Sequence, residues 1–166
     1  MAIPVESLHR IRYNPFLTDC TNADLDAIAD LLEEARFPKD SRLFDQGAAG
    51  DSMYLILSGQ VAVVRRLDLV AEGSGARRSD HTLAAVGPGE AVGEMALVDG
   101  EPRSASVVAL EDVIAARLDR ERYDLLRAAN PRLAIRLLLG LFRTISWRVR
   151  QANKNLEMVQ YRLFTI

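Results

Sequence analysis

Gly93-Glu94-Met95-Ala96-Leu97-Val98-Asp99-Gly100-Glu101-Pro102-Arg103-Ser104-Ala105 is the stretch that organises this chain. It concentrates a glutamate, an arginine and a serine hydroxyl within thirteen residues, between apolar runs of β character. Gly93 permits close backbone approach, and Met95 to Val98 can form one short helical turn whose free amides attract an anion. Arg103 offers a planar, permanently charged fork that matches phosphate oxygens, and Ser104 adds a hydroxyl donor. Pro102 biases Glu101 towards extended backbone, so Arg103 emerges at a strand start. Glu94 cannot favour a phosphate, but it suits a sugar hydroxyl while balancing Arg103. One anion site beside one hydroxyl-reading carboxylate points to a ribose phosphate. The residue types also allow a plainer arrangement, an internal Glu94–Arg103 ion pair on a loop, because buried charges must pair.

The flanks carry the same β rhythm. Arg42–Phe44, Met53–Leu57, Val61–Val64, Leu83–Val86, Ser104–Ala109 and Val113–Leu118 are short apolar runs. Between them stand Gly47, Gly50-Asp51, Ser58-Gly59, Gly87-Pro88-Gly89 and Asp99-Gly100. Such spacing predicts a compact all-β sandwich or roll, and no long helix interrupts it to make a parallel α/β sheet. Residues 71–81 read as an exposed hairpin loop.

Helices are expected on both sides. Pro4 and Pro15 leave room for a short helix around Val5 to Arg12. Thr21 or Asn22 is a candidate N-cap, and Leu25, Ile28, Ala29, Leu32 and Ala35 follow at helical spacing until Pro38. Asp119 can cap Arg120 to Ala129, and Pro131 suits the first turn of a further helix. In that last helix Ile135, Leu138, Phe142, Ile145, Val149, Ala152, Leu156, Val159 and Leu163 alternate spacings of three and four. This a/d pattern allows a helix lying on its own β domain, but a seam this long outruns one small domain and favours a parallel two-helix seam, hence a homodimer through residues 135–163. The expected organisation is an N-terminal segment 1–18, a β-roll with flanking helices over 19–130, and a lid and dimerisation helix over 131–166.

Composition narrows the function classes. The chain has 166 residues, 49% apolar and 27% charged, enough for one domain with a proper core. A formal net charge of −2 argues against nucleic-acid or membrane surfaces that work by bulk positive charge. Cys20 is the single cysteine, which excludes an internal disulfide and leaves a reducing cytoplasm as the expected location. The longest apolar run, Leu137 to Phe142, is six residues against the ~20 of a spanning helix, and Met1-Ala2-Ile3-Pro4 followed by Glu6 is not expected to be a signal peptide. A metalloenzyme would need a histidine–carboxylate cluster, and only His9 and His81 are present. No nucleophile–histidine arrangement is visible, so no enzyme activity and no cofactor are expected.

The stretch Gly93-Glu94-Met95-Ala96-Leu97 with Pro102-Arg103-Ser104-Ala105 resembles the phosphate-binding cassette of the cyclic nucleotide-binding domain family. Gly47 followed by Gly50-Asp51-Ser52-Met53-Tyr54-Leu55-Ile56-Leu57-Ser58-Gly59 resembles that family's second signature. The likeness spans about residues 16–150, including Asn130-Pro131 at the start of the last helix. It implies a double-stranded β-helix, or jelly-roll-like β-roll, with N-terminal helices and a long C-terminal helix, holding cAMP or cGMP. By resemblance Arg103 pairs with the cyclic phosphate and Glu94 takes the ribose 2′-hydroxyl. Ser104 adds a phosphate or base contact, and the amides of Ala96 and Ala105 lie nearby. Val63 and Leu83 would line the base pocket. The family's last helix serves as a lid; here Leu137, Leu141, Thr144 and Arg148 form a second stripe beside the a/d seam, from which Thr144 or Arg148 could reach the purine.

The departures are informative. Ala91-Val92 stands where larger residues are common, Ser104 occurs in binders of either nucleotide, and the 71–81 segment is long for the family. Nothing after the long helix supplies a winged helix-turn-helix, so DNA binding by this chain is not expected. The implied function is a regulatory module that passes cyclic nucleotide occupancy through its C-terminal helix, to an effector protein that it contacts or is tethered to. The competing function is a dimerisation or interaction module whose pocket is empty or repurposed.

Overall fold

The computed structural model describes residues 3–12, 16–71 and 74–164, with side-chain surroundings undescribed at 10–11, 68–71, 74–78 and 159–164. Two helices, α1 (Val5–Ile11) and α2 (Asn22–Ala29), precede eight strands. These are β1 (Glu33–Phe37), β2 (Arg42–Phe44), β3 (Ser52–Ser58), β4 (Val61–Ala71), β5 (Ser74–Val86), β6 (Ala91–Val92), β7 (Ser106–Ala109) and β8 (Val113–Asp119). A short helix α3 (Glu94–Asp99) interrupts the strands, and α4 (Arg120–Ala129) and α5 (Pro131–Phe164) complete the chain. The fold is mainly β with flanking helices, a β-roll of two four-stranded antiparallel sheets ordered β1-β8-β3-β6 and β2-β7-β4-β5.

The run Met53-Tyr54-Leu55-Ile56-Leu57 shows why the sheets stack as they do. Successive side chains point to opposite faces, and an almost wholly apolar run must bury both. Ile56 joins Val61, Val86, Val92, Val107, Val113 and Ala115 in a core between the two sheets. Met53 and Leu55 face the other way, with Ala116 and Leu118, into a second core built by the helices. That second core contains Leu8 of α1, Leu25 and Ile28 of α2, and Leu133, Ala134, Leu137 and Leu141 of α5. The first sheet is therefore covered on both faces.

Three expectations are corrected. Helical spacing predicted one helix through Ala35, but α2 stops at Ala29 and Glu33–Phe37 pairs with β8, Glu33 opposite Arg117 and Phe37 opposite Val113. Pairing with a strand far along the chain overrides local periodicity, since strand preference is largely set by neighbours. Arg117 and Arg122 both ion-pair with Glu33 and hold that edge. Of residues 71–81, read as a loop, Ala71 and residues 74–81 belong to a β4–β5 ribbon paired from Val61–Val86 to Ala71–Ser74, with Arg66 facing Asp80 across it at 3.6 Å. Ser104 and Ala105 precede β7 rather than beginning it. Pro15, Glu72 and Gly73 lie outside the described residues, as do the surroundings of the Val159 and Leu163 side chains.

The helix caps fall at the expected residues. Thr21 and Asp24 form a capping box, and Asp119 accepts a bond from the Arg122 amide at 2.9 Å. In α5 the expected second stripe is the buried one: Leu137, Leu141 and Thr144 are each at most 6% exposed. The a/d positions Ile135, Phe142, Val149 and Leu156 are each more than half exposed. Gly140 explains how α5 seats so closely. A Cβ there would lie 2.2 Å from the carbonyl oxygen of Phe16, so the N-terminal segment crosses the helix at a point only glycine allows. Ion pairs from Arg136 to Asp24 and from Arg143 to Asp19 (2.5 Å) fix the same crossing. No described helix is long and apolar enough to cross a membrane.

Two outcomes follow from this crossing. Gly140→Ala gains up to about 1 kcal/mol of helix propensity but forces apart two backbone segments, an overpacking cost of about 1–3 kcal/mol. The expected result is a lower urea midpoint, and a raised midpoint would show that the segment yields freely. The second outcome concerns Asp24. Burial alone would raise its carboxyl, but the Thr21 amide and hydroxyl and Arg136 outweigh burial and hold it below the usual aspartate range. A depressed folded-state pKa stabilises the fold above the unfolded value, and this contribution is lost as pH falls below about 4. Urea titrations should show Asp24→Asn weaker than wild type at neutral pH, with the gap closing on acidification. A gap independent of pH would contradict the assignment.

Candidate functional site

The two signature stretches, more than thirty positions apart, meet at Arg103. Its amide donates to the Ala48 carbonyl at 2.9 Å, and its carbonyl accepts from the Gly47 amide at 2.8 Å. These backbone bonds clamp the loop after β2 to the strand-ward end of the cassette. Held by this clamp, Arg103 turns its side chain inward to 5% exposure. Nη1 donates to the Gly93 carbonyl at 2.9 Å, and Nη2 to the Ser52 hydroxyl at 3.2 Å.

The guanidinium lies 4.2 Å from the centroid of the Phe44 ring, which stacks on Tyr54 at 6.1 Å. A desolvated cation over an aromatic face gains about 2 kcal/mol. That does not replace a counter-charge. No carboxylate among the described residues is within ion-pair distance of Arg103, and its Nε is buried with no hydrogen-bond partner. Burial pulls the guanidinium below the usual arginine range, and nearby Tyr54, Asp51 and Glu94 only partly offset this. Gly93 makes the arrangement possible: its φ is +76°, and a Cβ would lie 2.4 Å from Arg103 Nη1.

Glu94, 5% exposed, begins α3 and does not pair with Arg103. The plainer arrangement allowed by the sequence, an internal Glu94–Arg103 pair, is absent. Glu94 Oε1 instead accepts from Nη1 of Arg148 on α5 at 3.1 Å, and Arg148 Nη2 donates to the Ala91 carbonyl at 2.5 Å. From the opposite side Arg120 holds α3 by donating to the Ala96 carbonyl at 2.7 Å. The short helix is thus tied to both C-terminal helices.

These groups border a cavity of about 550 Å³, within the ordinary range for small-molecule sites. Of the residues singled out in the sequence, Gly93, Glu94, Met95, Ala96, Arg103, Ser104, Ala105, Val63 and Arg148 all line it. Two do not. Leu83 is 59% exposed on β5, and Thr144 is buried with its hydroxyl donating to the Gly140 carbonyl at 3.2 Å. Phe44, Val92, Val107, Ile145, Val149 and Ala152 line the cavity without having been expected there. The last three carried a sequence signal that pointed elsewhere: as a/d positions they were assigned to a dimer seam. Nothing in the pattern of β2 marks Phe44 as the support of an arginine. Among the described residues no three histidine, cysteine or acidic side chains cluster to hold a metal. His9 lies on α1 and His81 on β5. Cys20 is buried in the helical core, with its thiol pushed up to about 11, chiefly by burial.

The chain is 32% identical over 148 residues to the cyclic AMP receptor protein of Thermus thermophilus, covering 89% of this chain and 63% of that one. It is 35% identical over 109 residues to the cAMP-dependent protein kinase regulatory subunit of Aspergillus fumigatus, covering 66% of this chain and 24% of that protein. The chain therefore spans less than two thirds of the length of these curated relatives. Among solved structures, a cyclic nucleotide-binding domain from Methylobacillus flagellatus superposes with a TM-score of 0.78 at 30% identity, covering 91% of this chain and 81% of that one. Residues 34–130 match the family model of the cyclic nucleotide-binding domain, and the chain belongs to that family.

Proposed function

We propose that this chain is a regulatory module that binds cAMP or cGMP in the cavity at Arg103 and transmits occupancy through α5. The observation that carries the reading is the unspent charge of Arg103, a buried cation with only neutral acceptors and an unpartnered Nε. Burying a cation without a counter-ion is costly, so a site that does so is prepared for an anion. A cyclic phosphate supplies it, with Ser104 as a neighbouring hydroxyl donor. Glu94 accepts from the ribose 2′-hydroxyl. The module works by binding and performs no catalysis. Its free buried thiol suits a reducing cytoplasm.

Transmission follows from Arg148. The carboxylate that would read the ribose is the one that anchors α5 to the cassette. A hydroxyl donating to Glu94 shares that carboxylate with Arg148 and alters the hold of the helix on the roll. The outer a/d face of α5, with Phe142 at 67% and Leu156 at 60% exposure, is the surface through which two copies pair. The same exposed face supports a second reading, an interaction module whose cavity is idle. Under that reading cAMP and cGMP leave the melting temperature unchanged. A binding module is stabilised progressively as either ligand is added.

Calorimetry with Arg103→Ala tests the site. Removing a buried charged partner costs about 2–5 kcal/mol, or roughly thirty- to several-thousand-fold in affinity. Glu94→Ala should weaken binding as well, and isotherms unchanged in both variants would remove the site. Light scattering tests the assembly: a mass near twice the 18.4 kDa of one chain is expected, reverting to one chain in Phe142→Glu. A monomer at high concentration would contradict the seam.

A further inference from the structure

We propose that the cavity does not discriminate between the two purines, so that cAMP and cGMP bind with affinities within about tenfold of each other, the worth of one ordinary hydrogen bond. This rests on the reading of the cavity as a cyclic nucleotide site and adds which nucleotides it accepts. The two ligands share the ribose and the cyclic phosphate. They differ only along the base edge, where adenine carries a C6 amino group and an acceptor N1, and guanine a C6 oxo group, an N1–H donor and a C2 amino group. Selecting one needs a side chain that hydrogen-bonds that edge, because the rejected base then leaves a buried polar group unpaired.

The polar side chains bordering the cavity are assigned here to the phosphate or ribose, held by other protein groups, or exposed at the cassette. Arg103 and Ser104 are adjacent at the phosphate end, and Glu94 is the carboxylate of the ribose. Arg148 spends its two terminal nitrogens on Glu94 Oε1 (3.1 Å) and the Ala91 carbonyl (2.5 Å). Asp99 accepts from the Glu101 amide at 3.0 Å, and both residues are exposed where α3 returns to the cassette. What α5 turns towards the remaining space is Ile145, Val149 and Ala152, opposite Val63 of β4. The hydroxyls on this turn of α5 are Thr144 and Ser146; neither lines the cavity, and Thr144 is bonded to the Gly140 carbonyl and only 6% exposed. Phe44 offers its face to Arg103 and Tyr54. The base therefore meets aliphatic walls, which gain from the buried area of either purine and have no donor or acceptor to leave unsatisfied.

The experiment is calorimetry of the intact chain with cAMP and cGMP titrated separately at one ionic strength, repeated with Ser104→Ala. Both ligands should bind, with a Kd ratio within tenfold, and Ser104→Ala should weaken both by the same factor. A ratio beyond tenfold in either direction overturns the proposal, as does a Ser104→Ala variant that moves the ratio beyond tenfold. Binding of one nucleotide alone would sink the proposal while leaving the cavity as a cyclic nucleotide site. Binding of neither would remove that site assignment, and this inference with it.

Discussion

A positive charge enclosed without a negative one is the constraint on which the rest of this structure depends. Arg103 is almost wholly removed from water, yet its terminal nitrogens meet only a carbonyl and a hydroxyl. The stack of Phe44 and Tyr54 supports the guanidinium without neutralising it. Such a group is held in place only if its surroundings are rigid on every side. The double backbone clamp to Gly47 and Ala48, the glycine at 93 and the Ser52 hydroxyl provide that rigidity. The cost of the arrangement falls on stability, since a buried cation without a counter-ion is expensive.

Two cores on opposite faces of one sheet make this rigidity possible. The core between the sheets carries Phe44 and Tyr54 and so the floor under Arg103. The core under the helices carries α5. Because β3 contributes to both, with Ile56 on one side and Met53 and Leu55 on the other, the cassette and the long helix share a single support. Packed interiors are stiff, and the two cores meet at β3. The Arg148–Glu94 pair joins cassette and helix directly. The helix divides its length accordingly: Leu133 to Thr144 belongs to the helical core, Ile145 to Ala152 borders the cavity, and the described side chains beyond are exposed.

Much of this was legible in residue order. The strands of the roll announced themselves because β3, β7 and β8 carry apolar residues on both faces, and Asp119, Pro131 and Thr21 mark helix starts by chemistry that works locally. The cassette was legible because its work needs an arginine, a glutamate and glycines at short separations. The β1 strand was not, since Ala35 keeps helical step with Ile28 and Leu32, and only the distant β8 makes it a strand. Val149 and Ala152, read from the sequence only as seam positions, also border the cavity, and that too was not legible. Periodicity shows that one face of α5 is apolar, but not whether another chain or this chain's own cavity lies against it.

The sequence by itself determined the two-sheet roll, the flanking helices and the residue types gathered at the cassette, because alternation, capping and turn chemistry act over a few residues. The pairing of charges was decided by tertiary structure alone. Glu94 and Arg103, nine positions apart, were the natural partners, and folding instead gives Glu94 to Arg148 of α5 and leaves Arg103 without a carboxylate among the described residues. An ion pair is set by which groups the packed core brings within about 4 Å, and that distance depends on how α5 crosses Phe16 at Gly140. No local pattern contains it.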